Sequence, residues 1–291
     1  DAGVVQVAAG AYHTCARLSN GKVRCWGSGG IGRLGYGNTF TIGDDEFPST
    51  AGDVNVGGTV VQIATSGDHT CALLDAGRVR CWGYGQFGQL GYGSFSNIGD
   101  DPAEYPSMAG DVSVDPDAGV IQIAAGGNHT CALLETKKVK CWGRGNVGQL
   151  GYGNTENIGD DAGEYPSTAG YVDVGGDVIQ LAAGEFHTCA LLVTGKVRCW
   201  GSGVYGQHGY GYTVNVGASP AMGPAYYGDV KVDPDASVVS IAAGWFHTCA
   251  ILSTGKVRCW GWAIQGRLGY GNTNISGDNE CPSDAGDVPL E

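Results

Sequence analysis

One motif, His-Thr-Cys, occurs five times in this chain, and the same sequence pattern surrounds each copy. The motif lies at 13–15, 69–71, 129–131, 187–189 and 247–249, so successive copies begin 56, 60, 58 and 60 residues apart. Self-similarity at a regular interval is typical of chains built from repeated structural units. We therefore divide the sequence into five repeats that form one domain over 1–291, at approximately 1–56, 57–116, 117–175, 176–234 and 235–291.

Every repeat contains four short segments with the composition of β-strands, such as VVQIAT, HTCALL, VRCWG and DVSV in the second repeat. The segments are rich in β-branched and aromatic residues and are bounded by Gly, Asp, Asn or Pro. No helix start signal is followed by an apolar period of 3.6 residues. A unit of about four antiparallel strands at this spacing is typical of a propeller blade. The sequence therefore predicts an all-β propeller of five blades.

The residues GNHTCALL (127–134) and CWGRGNVGQLGYG (141–153), with their four counterparts, resemble the RCC1-repeat family. The resemblance covers essentially the whole chain, and the cysteines make it most similar to the secreted, cysteine-rich bacterial-type branch. It implies a β-propeller, which in this family usually has seven blades. Because the sequence begins and ends at the same point of the repeat cycle, we expect five blades that close on themselves. The alternative is an incomplete ring that is finished by dimerisation or by further sequence.

Ten of the eleven cysteines fall in pairs, one pair per repeat and always ten positions apart. In the first repeat, a three-residue hairpin loop at 19–21 with its glycine at positive φ sets Cys15 opposite Cys25. The two then form a non-hydrogen-bonded pair with Cα atoms about 4.5 Å apart, close enough for a disulfide. The third repeat has Thr136-Lys137 without the glycine, which predicts a strained or different turn. The predicted disulfides are Cys15–Cys25, Cys71–Cys81, Cys131–Cys141, Cys189–Cys199 and Cys249–Cys259.

The alternative to disulfides is five pairs of small buried thiols in a cytosolic protein. Disulfides at this density indicate an oxidising compartment, so we expect a secreted or cell-surface protein. Zinc is not expected because the C-x₂-C spacing is absent. Cys281 has no partner in the pattern and is either a free thiol or an intermolecular link.

Two recurring patterns resemble known sites, but their recurrence in the repeat favours structural roles. The glycines at 27–32, 83–88 and 143–148 match G-x-G-x-x-G, yet no predicted helix follows them, so they are turn glycines. The five motif histidines would form a ring in a five-bladed propeller, and a ring of imidazoles could hold a metal. We expect instead that each histidine hydrogen-bonds the neighbouring backbone. Packing between blades is predicted for Trp26, Trp82, Trp142, Trp200 and Trp260.

Acidic loops recur in every repeat except the fourth and are the candidates for calcium ligands. Their spacing matches no standard calcium loop, and Asp favours turns through its own bonds to the backbone. We therefore predict no cofactor, with weak calcium binding as the alternative. The candidate ligands are Asp44, Asp45, Glu46, Asp100, Asp101, Asp160 and Asp161.

Partner recognition is expected where the copies differ, because binding residues are concentrated on loops over a rigid scaffold. Aromatic residues occupy two variable positions of the repeat, one between the first and second strands and one just after the third. In an up-and-down blade these loops emerge on the same side, and aromatic residues are frequent interface hot spots. The alternative is that they only cover blade edges. The predicted partner-binding residues are Tyr12, Tyr84, Phe87, Phe186, Tyr205, Trp245, Phe246 and Trp262.

The overall charge and the uniformity of the repeats limit the classes of function. A net charge of −13 disfavours nucleic acid as a partner. No stretch of 18 apolar residues occurs, so membrane insertion is not expected. No catalytic group stands out except His208, which replaces the Leu of GQLGYG in the fourth repeat.

Known members of the family include nucleotide-exchange factors for small GTPases and secreted protein inhibitors. The exchange activity uses a protruding wedge from one blade, and no repeat here has an insertion that long. The sequence therefore predicts a non-catalytic extracellular module that binds a protein or a glycan. The alternatives are a self-assembling surface or matrix protein and, third, a propeller enzyme.

Overall fold

Five three-stranded antiparallel sheets, one in each repeat, form the regular structure of the chain. The computed structural model describes residues 2–290, with Ala221 by its backbone alone; Asp1 and Glu291, which the predicted domain includes, lie outside this range. We call each sheet with its following loops a blade. The predicted all-β fold of five blades is confirmed. In chain order the strands are β1 (Val4–Ala9), β2 (His13–Leu18), β3 (Val23–Gly27), β4 (Val60–Thr65), β5 (His69–Leu74), β6 (Val79–Gly83), β7 (Val120–Ala125), β8 (His129–Leu134), β9 (Val139–Gly143), β10 (Val178–Ala183), β11 (His187–Leu192), β12 (Val197–Gly201), β13 (Val238–Ala243), β14 (His247–Leu252) and β15 (Val257–Gly261).

The prediction of a fourth strand in each blade is wrong. In the first blade, the N–H of Val54 donates to the carbonyl of Val23 in β3 at 2.8 Å. The chain then turns back, because the N–H of Val56 donates to the carbonyl of Val54 at 2.8 Å instead of continuing a ladder. Both valines are nonetheless buried. The alternating valines therefore reflect the burial of one side of the segment and not a regular strand.

Three single-turn α-helices that the sequence analysis did not predict lie in the long loops after the third strands of the second, fourth and fifth blades: α1 (Pro106–Ala109), α2 (Pro224–Tyr227) and α3 (Pro282–Ala285). Each begins with proline, which suits the first position of a helix because the N–H there has no partner within the helix. A single turn is too short to show an apolar period, so the prolines were the only signal. No helix in the described part of the chain is long and apolar enough to cross a membrane.

The hairpin between the second and third strands has the register that the cysteine spacing predicts. Cys15 pairs with Cys25 in the first blade, and all five predicted disulfides are present, with Cα–Cα distances of 4.0 to 4.1 Å. The turn of the third repeat keeps the same backbone, since Lys137 has φ 64° where Gly21 of the first repeat has φ 77°. The predicted strain in this turn is thus located at one lysine in a conformation that favours glycine.

The chain divides into two compact units. Among the described residues, the first contains 2–136, 140–144 and 157–169, and the second contains 137–139, 145–156 and 170–290. The first unit therefore holds blades one and two, the second holds blades four and five, and the third repeat is shared between them. That all five repeats act as a single domain stays a prediction.

Within each unit the apolar core lies between successive blades. The Cys15–Cys25 disulfide and Val23 of blade one pack with Val60, Ile63 and Trp82 of blade two. Equivalent residues form the contact between blades two and three and between blades four and five. We call the side of a blade that carries the disulfide its outgoing face, and the side that carries the tryptophan and the first and fourth residues of the first strand its incoming face. In these three contacts the disulfide of one blade, Cys15–Cys25, Cys71–Cys81 or Cys189–Cys199, is buried against the next blade.

Candidate binding surface

Five of the predicted partner-binding residues form one cluster in the second unit. Tyr205 and Trp262 are stacked, with ring centroids 5.2 Å apart and an angle of 24° between the planes. Phe246 lies edge-on to Tyr205 and Trp262, at 5.5 and 5.4 Å. Phe186 and Trp245 contact Phe246 at 6.0 and 6.4 Å. We call these five residues the aromatic cluster.

Backbone hydrogen bonds hold the loops that carry the aromatic cluster. The N–H of Trp262, just after β15, donates to the carbonyl of Phe246 at 2.8 Å. The N–H of Glu185 donates to the carbonyl of Trp245 at 2.9 Å, which joins the β10–β11 and β13–β14 loops. These bonds do not depend on the aromatic side chains. The loops are therefore fixed by the scaffold, while the rings are free to differ from copy to copy.

The aromatic cluster remains accessible to a partner. Trp245 is 54% exposed, and the other four members are half-buried. Aromatic pairs with centroids 4.5 to 7 Å apart stabilise one another, so the cluster is pre-ordered. Such a surface can bury apolar side chains of a partner at a small cost in conformational entropy.

Sequence reasoning missed three arginines that lie against the variable aromatic residues. The guanidinium carbon of Arg267 is 4.5 Å from the centroid of Trp262, at the edge of the aromatic cluster. The distance is 5.2 Å from Arg33 to Tyr12 and 4.7 Å from Arg144 to Phe87. These are cation–π distances. Arg33 and Arg267 stand where other repeats have the Gln of GQLGYG, and that departure was the available signal.

The remaining predicted residues lie in the first unit. Tyr84 and Phe87 meet edge-on with centroids 6.1 Å apart, and Phe87 carries Arg144 as described above. Tyr12 is 60% exposed and faces Arg33. The structure therefore places these three residues in small aromatic–arginine contacts. Their role in binding a partner stays a prediction.

Three motif histidines, His13, His69 and His187, bond to the next blade, but through a side chain and not through the backbone as predicted. The Nε2 of His69 is 2.9 Å from the hydroxyl of Thr130. That hydroxyl donates to the carbonyl of Gln89 at 2.9 Å, so it accepts from the protonated Nε2. Burial lowers the pKa of His69 to about 3, which keeps the ring neutral. The histidine thus joins neighbouring blades.

His208 is also engaged inside the fold. Its Nε2 donates to the carbonyl of Val214 at 2.8 Å, and its Nδ1 accepts from the N–H of Tyr210 at 3.3 Å. Burial lowers its pKa to about 4. With both nitrogens bonded to the backbone, the imidazole is not placed to transfer a proton to a substrate.

The acidic loop of the first repeat brings three carboxylates together. Among the residues that the structure describes, the one such group within 4.8 Å is Asp44, Asp45 and Glu46. The loop is largely exposed, and Glu46 accepts a hydrogen bond from the N–H of Gly43 at 2.9 Å. The hydrogen bond with Asp45 raises the pKa of Glu46. This geometry shows a crowded turn, and calcium binding stays an untested alternative.

In the next two repeats the candidate ligands bond within their own loops. Asp100 accepts from Asn97 at 3.2 Å, and Asp160 accepts from Asn157 at 2.8 Å. Asp101 accepts from the N–H of Ala103 at 3.0 Å. These are the local bonds by which Asp stabilises turns.

Cys281 is the free cysteine of the described chain and is half-buried directly before α3. Its N–H donates to Asp284 at 2.8 Å. Burial raises the pKa of its thiol, so the thiol is protonated at neutral pH.

Comparison with known proteins agrees with the repeat pattern. The family model described as the RCC1-like domain matches residues 1–289. The chain is 30% identical over 314 residues to the Ultraviolet-B receptor UVR8 of Arabidopsis thaliana, covering 92% of this chain and 67% of UVR8. It is 31% identical over 276 residues to the probable E3 ubiquitin-protein ligase HERC6 of Homo sapiens, covering 93% of this chain but 24% of HERC6.

Two solved structures show the same fold. Human WBSCR16 has a TM-score of 0.73 at 23% identity, covering 100% of this chain and 68% of that one. Yeast RCC1 (Prp20) bound to Kap60 has a TM-score of 0.70 at 21% identity, covering 99% of this chain and 64% of that one. The chain thus spans about two thirds of each of these structures.

Proposed function

This chain belongs to the RCC1-like domain family, and from that premise we propose that it is a non-catalytic module that binds a protein through the aromatic cluster. Two relatives support a binding role: UVR8 is a receptor, and yeast RCC1 is seen bound to Kap60. HERC6 is a probable ubiquitin ligase, but this chain covers only 24% of it. The observation that carries the proposal is the aromatic cluster itself. Five aromatic side chains that vary between the repeats meet on loops that the backbone fixes.

The chemistry of the aromatic cluster favours a protein over a glycan. Its rings pack largely edge-on, and Arg267 covers Trp262, so few flat ring faces are left for a sugar. The apolar edges and the guanidinium together suit a partner with an apolar or aromatic anchor beside an acidic group. A glycan partner is the alternative outcome of the binding experiment.

We propose no catalytic role for the domain, and we expect it to be secreted or exposed at the cell surface. His208, the one chemical departure from the repeat, uses both its nitrogens inside the fold. The five disulfides favour an oxidising compartment, as in the secreted branch of the family. Self-assembly as a surface or matrix component stays the alternative function.

Replacing Trp245 and Phe246 with alanine tests the proposal. The double variant should lose partner binding by at least about 30-fold, because hot-spot aromatics each contribute about 2 kcal/mol or more. Its melting temperature should change little, since Trp245 is exposed and the loops are held by backbone bonds. Affinity capture from the extracellular fraction of the source cells, with the captured molecules identified by mass spectrometry, measures the loss.

Tyr226→Ala is the matched control, because Tyr226 is a 75% exposed aromatic of the fourth repeat outside the aromatic cluster. Wild type and this control should capture the same proteins. Equal capture by the double variant, or a collapse of its melting temperature, would contradict the proposal.

A further inference from the structure

A glutamine in the loop after the third strand is buried in blades two, three and four. In blade two this residue is Gln89, whose Oε1 accepts from the N–H of Phe87 at 2.9 Å. Its Nε2 donates to Oδ1 of Asn128, in the next blade, at 3.4 Å. Both ends of this amide are therefore paired within the chain.

Blade three pairs the same amide in a different way. Oε1 of Gln149 accepts from the N–H of Val147 at 2.9 Å, and its Nε2 donates to Oδ1 of Asn146 at 3.2 Å. Asn146 belongs to the same loop, three residues before the glutamine. Because Asn146 is an exposed residue, the buried amide lies one side chain below the surface.

In blade four only one end of the amide is paired. Oε1 of Gln207 accepts from the N–H of Tyr205, a member of the aromatic cluster, at 2.9 Å. This bond fixes which end of the amide is the oxygen, because a backbone N–H pairs only with an acceptor. The Nε2 is buried, and among the described residues it has no hydrogen-bond partner. Since Gln207 is 0% exposed, bulk water does not solvate this donor.

The amide of Gln207 is unpaired because apolar residues occupy both positions that supply the acceptor elsewhere. Val204 stands at the position of Asn146 in the loop itself. Phe246 stands at the position of Asn128 in the next blade. Neither side chain has an oxygen that could accept from Nε2.

The unpaired donor is directed at a place that a partner can reach. The carbonyl of Gln207 accepts from the hydroxyl of Thr248 at 2.9 Å, and the equivalent bonds of blades two and three measure 2.9 and 3.0 Å. The loop thus keeps the position of its counterparts, and Nε2 is directed between Val204 and Phe246. Val204 is 58% exposed, and Phe246 is half-buried in the aromatic cluster. A buried donor without an acceptor is unfavourable, and a bound acceptor removes that cost.

We propose that a bound partner supplies the missing acceptor: an amide carbonyl oxygen enters between Val204 and Phe246 and accepts a hydrogen bond from Nε2 of Gln207. This inference rests on the proposed function, because it makes Gln207 the polar contact of the aromatic cluster. It defines the chemistry of the partner more closely. An apolar anchor packs on the rings, and a carbonyl of the backbone or of an asparagine or glutamine side chain lies beside that anchor.

An amide carbonyl fits this place better than a carboxylate. The acceptors that the chain itself uses there, Asn128 and Asn146, are side-chain amides. The donor is neutral and buried, and taking a carboxylate out of water is more unfavourable than taking a neutral carbonyl. The net charge of −13 also disfavours a further negative charge at a buried site. An acidic group of the partner is suited instead to Arg267, at the edge of the aromatic cluster.

Val204→Asn tests the inference, because it gives blade four the acceptor that blade three already has. Oδ1 of the introduced side chain should bond to Nε2 of Gln207 and occupy the place proposed for the partner's carbonyl. Partner capture should fall about tenfold, the loss expected for one hydrogen bond to a buried donor. Val204→Leu adds the same bulk without an acceptor and should weaken capture far less.

Model ligands make the hydrogen bond visible by NMR. N-acetylphenylalanine amide carries an aromatic anchor beside amide carbonyls, toluene carries the ring alone, and 3-phenylpropionate carries a carboxylate. Each is titrated into nitrogen-15-labelled protein up to about 20 mM, or to saturation for toluene, because small ligands of this kind bind with millimolar Kd values. The side-chain amide signals of Gln207 are assigned by their absence in Gln207→Met.

N-acetylphenylalanine amide should move the side-chain proton signals of Gln207 downfield, as hydrogen bonding does. It should leave those of Gln149 in place, because both ends of that amide are already bonded. Toluene should not cause this shift, and 3-phenylpropionate should cause a smaller one. In Val204→Asn the Gln207 signals should lie downfield before any ligand is added.

Stability provides a measurement that needs no ligand. Val204→Asn should raise the urea midpoint of unfolding, because it pairs the buried donor of Gln207. The reciprocal variant Asn146→Val removes the acceptor of Gln149 and should lower the midpoint.

The inference is overturned if Val204→Asn captures the partner as well as wild type does or lowers the urea midpoint. It is also overturned if N-acetylphenylalanine amide leaves the Gln207 signals unmoved, or if 3-phenylpropionate moves them further. Full capture by Val204→Asn together with lost capture by the Trp245 and Phe246 double variant would remove this inference and leave the proposed function standing. Retained capture by the double variant would remove the proposed function itself.

Discussion

A single replacement in the fourth repeat puts an imidazole where the other repeats have an apolar side chain. His208 stands where other repeats have leucine, and its ring lies 5.2 and 5.3 Å from those of Tyr210 and Tyr212. From the sequence, a lone histidine breaking the repeat was a candidate catalytic group. Its carbonyl partner comes from Val214, six residues further on, in a loop whose path no periodic pattern predicts. Burial and that bond together make the residue structural.

The buried histidine should make stability depend on pH. Its pKa is lowered to about 4 in the folded chain from 6.5, so the unfolded chain takes up the proton first as the pH falls. Its contribution to the free energy of unfolding is therefore complete above pH 6.5, is lost between pH 6.5 and about 4, and is constant below that. The loss is on the order of 3 kcal/mol for such a shift.

His208→Leu should remove this part of the pH dependence. Urea unfolding of both proteins at pH 7 and at pH 4 measures the pH dependence, which is the difference between the unfolding free energies at the two pH values. Wild type should remain the more pH-dependent protein, and the motif histidines should account for the dependence that the variant retains. Equal dependence in both proteins would show that His208 does not stay neutral in the fold.

At the scale of the element, the hairpin was predictable and the blade was only partly so. Cysteine spacing and a turn glycine determine the β2–β3 register, because opposed residues in a hairpin depend on loop length alone. The alternating valines at 54 and 56 did not reveal that the segment turns on itself. The sequence predicted that the tryptophans pack between blades, as Trp82 does against blade one. It did not show which residues, about 60 positions away along the chain, each of them meets. The sequence predicted all five residues of the aromatic cluster, but it did not predict that Arg267 lies against Trp262 at its edge.

The turn of the third repeat offers a test of the hairpin. Lys137 holds φ 64°, a conformation that costs a residue with a side chain about 1–2 kcal/mol but glycine very little. Lys137→Gly should therefore stabilise the chain by about 0.5–1 kcal/mol after the added entropy of the unfolded glycine is subtracted. Denaturant unfolding at neutral pH measures the gain.

The reverse substitution is the matched control. Gly255→Lys places lysine at φ 81° in the same turn of the fifth repeat, where a Cβ has nothing within 4 Å. It should lower the unfolding free energy by a similar amount. If both substitutions change stability in the same direction, the conformational explanation is wrong.

At the scale of the whole molecule, the repeat count, the all-β fold and the disulfide pairs were all predictable, because they rest on patterns repeated five times. The identity of the partner was not predictable, because recognition depends on positions where the copies differ, and each difference occurs only once. Relatives with the same domain favour a binding function. We propose the aromatic cluster as the place where a partner binds.

The oxidation state of the whole chain gives a direct test. Alkylation of the denatured protein without reductant should add one label, at Cys281, and alkylation after reduction should add eleven labels, one per cysteine. Mass spectrometry counts both. Two or more labels before reduction would mean that a disulfide is not formed. If the protein takes up no label and its mass is doubled, Cys281 forms an intermolecular disulfide.

The core that lies between blades also bears on how such a chain can evolve. Within each unit, two successive repeats each contribute half of the core between them, so a residue there is constrained by a neighbour encoded about 180 nucleotides away. After one whole repeat is duplicated or deleted, the blades that become neighbours still present complementary faces to each other. A substitution at a buried position is tolerated only where the following copy accommodates it. Selection on packing therefore keeps the copies alike inside and leaves the loops free to diverge.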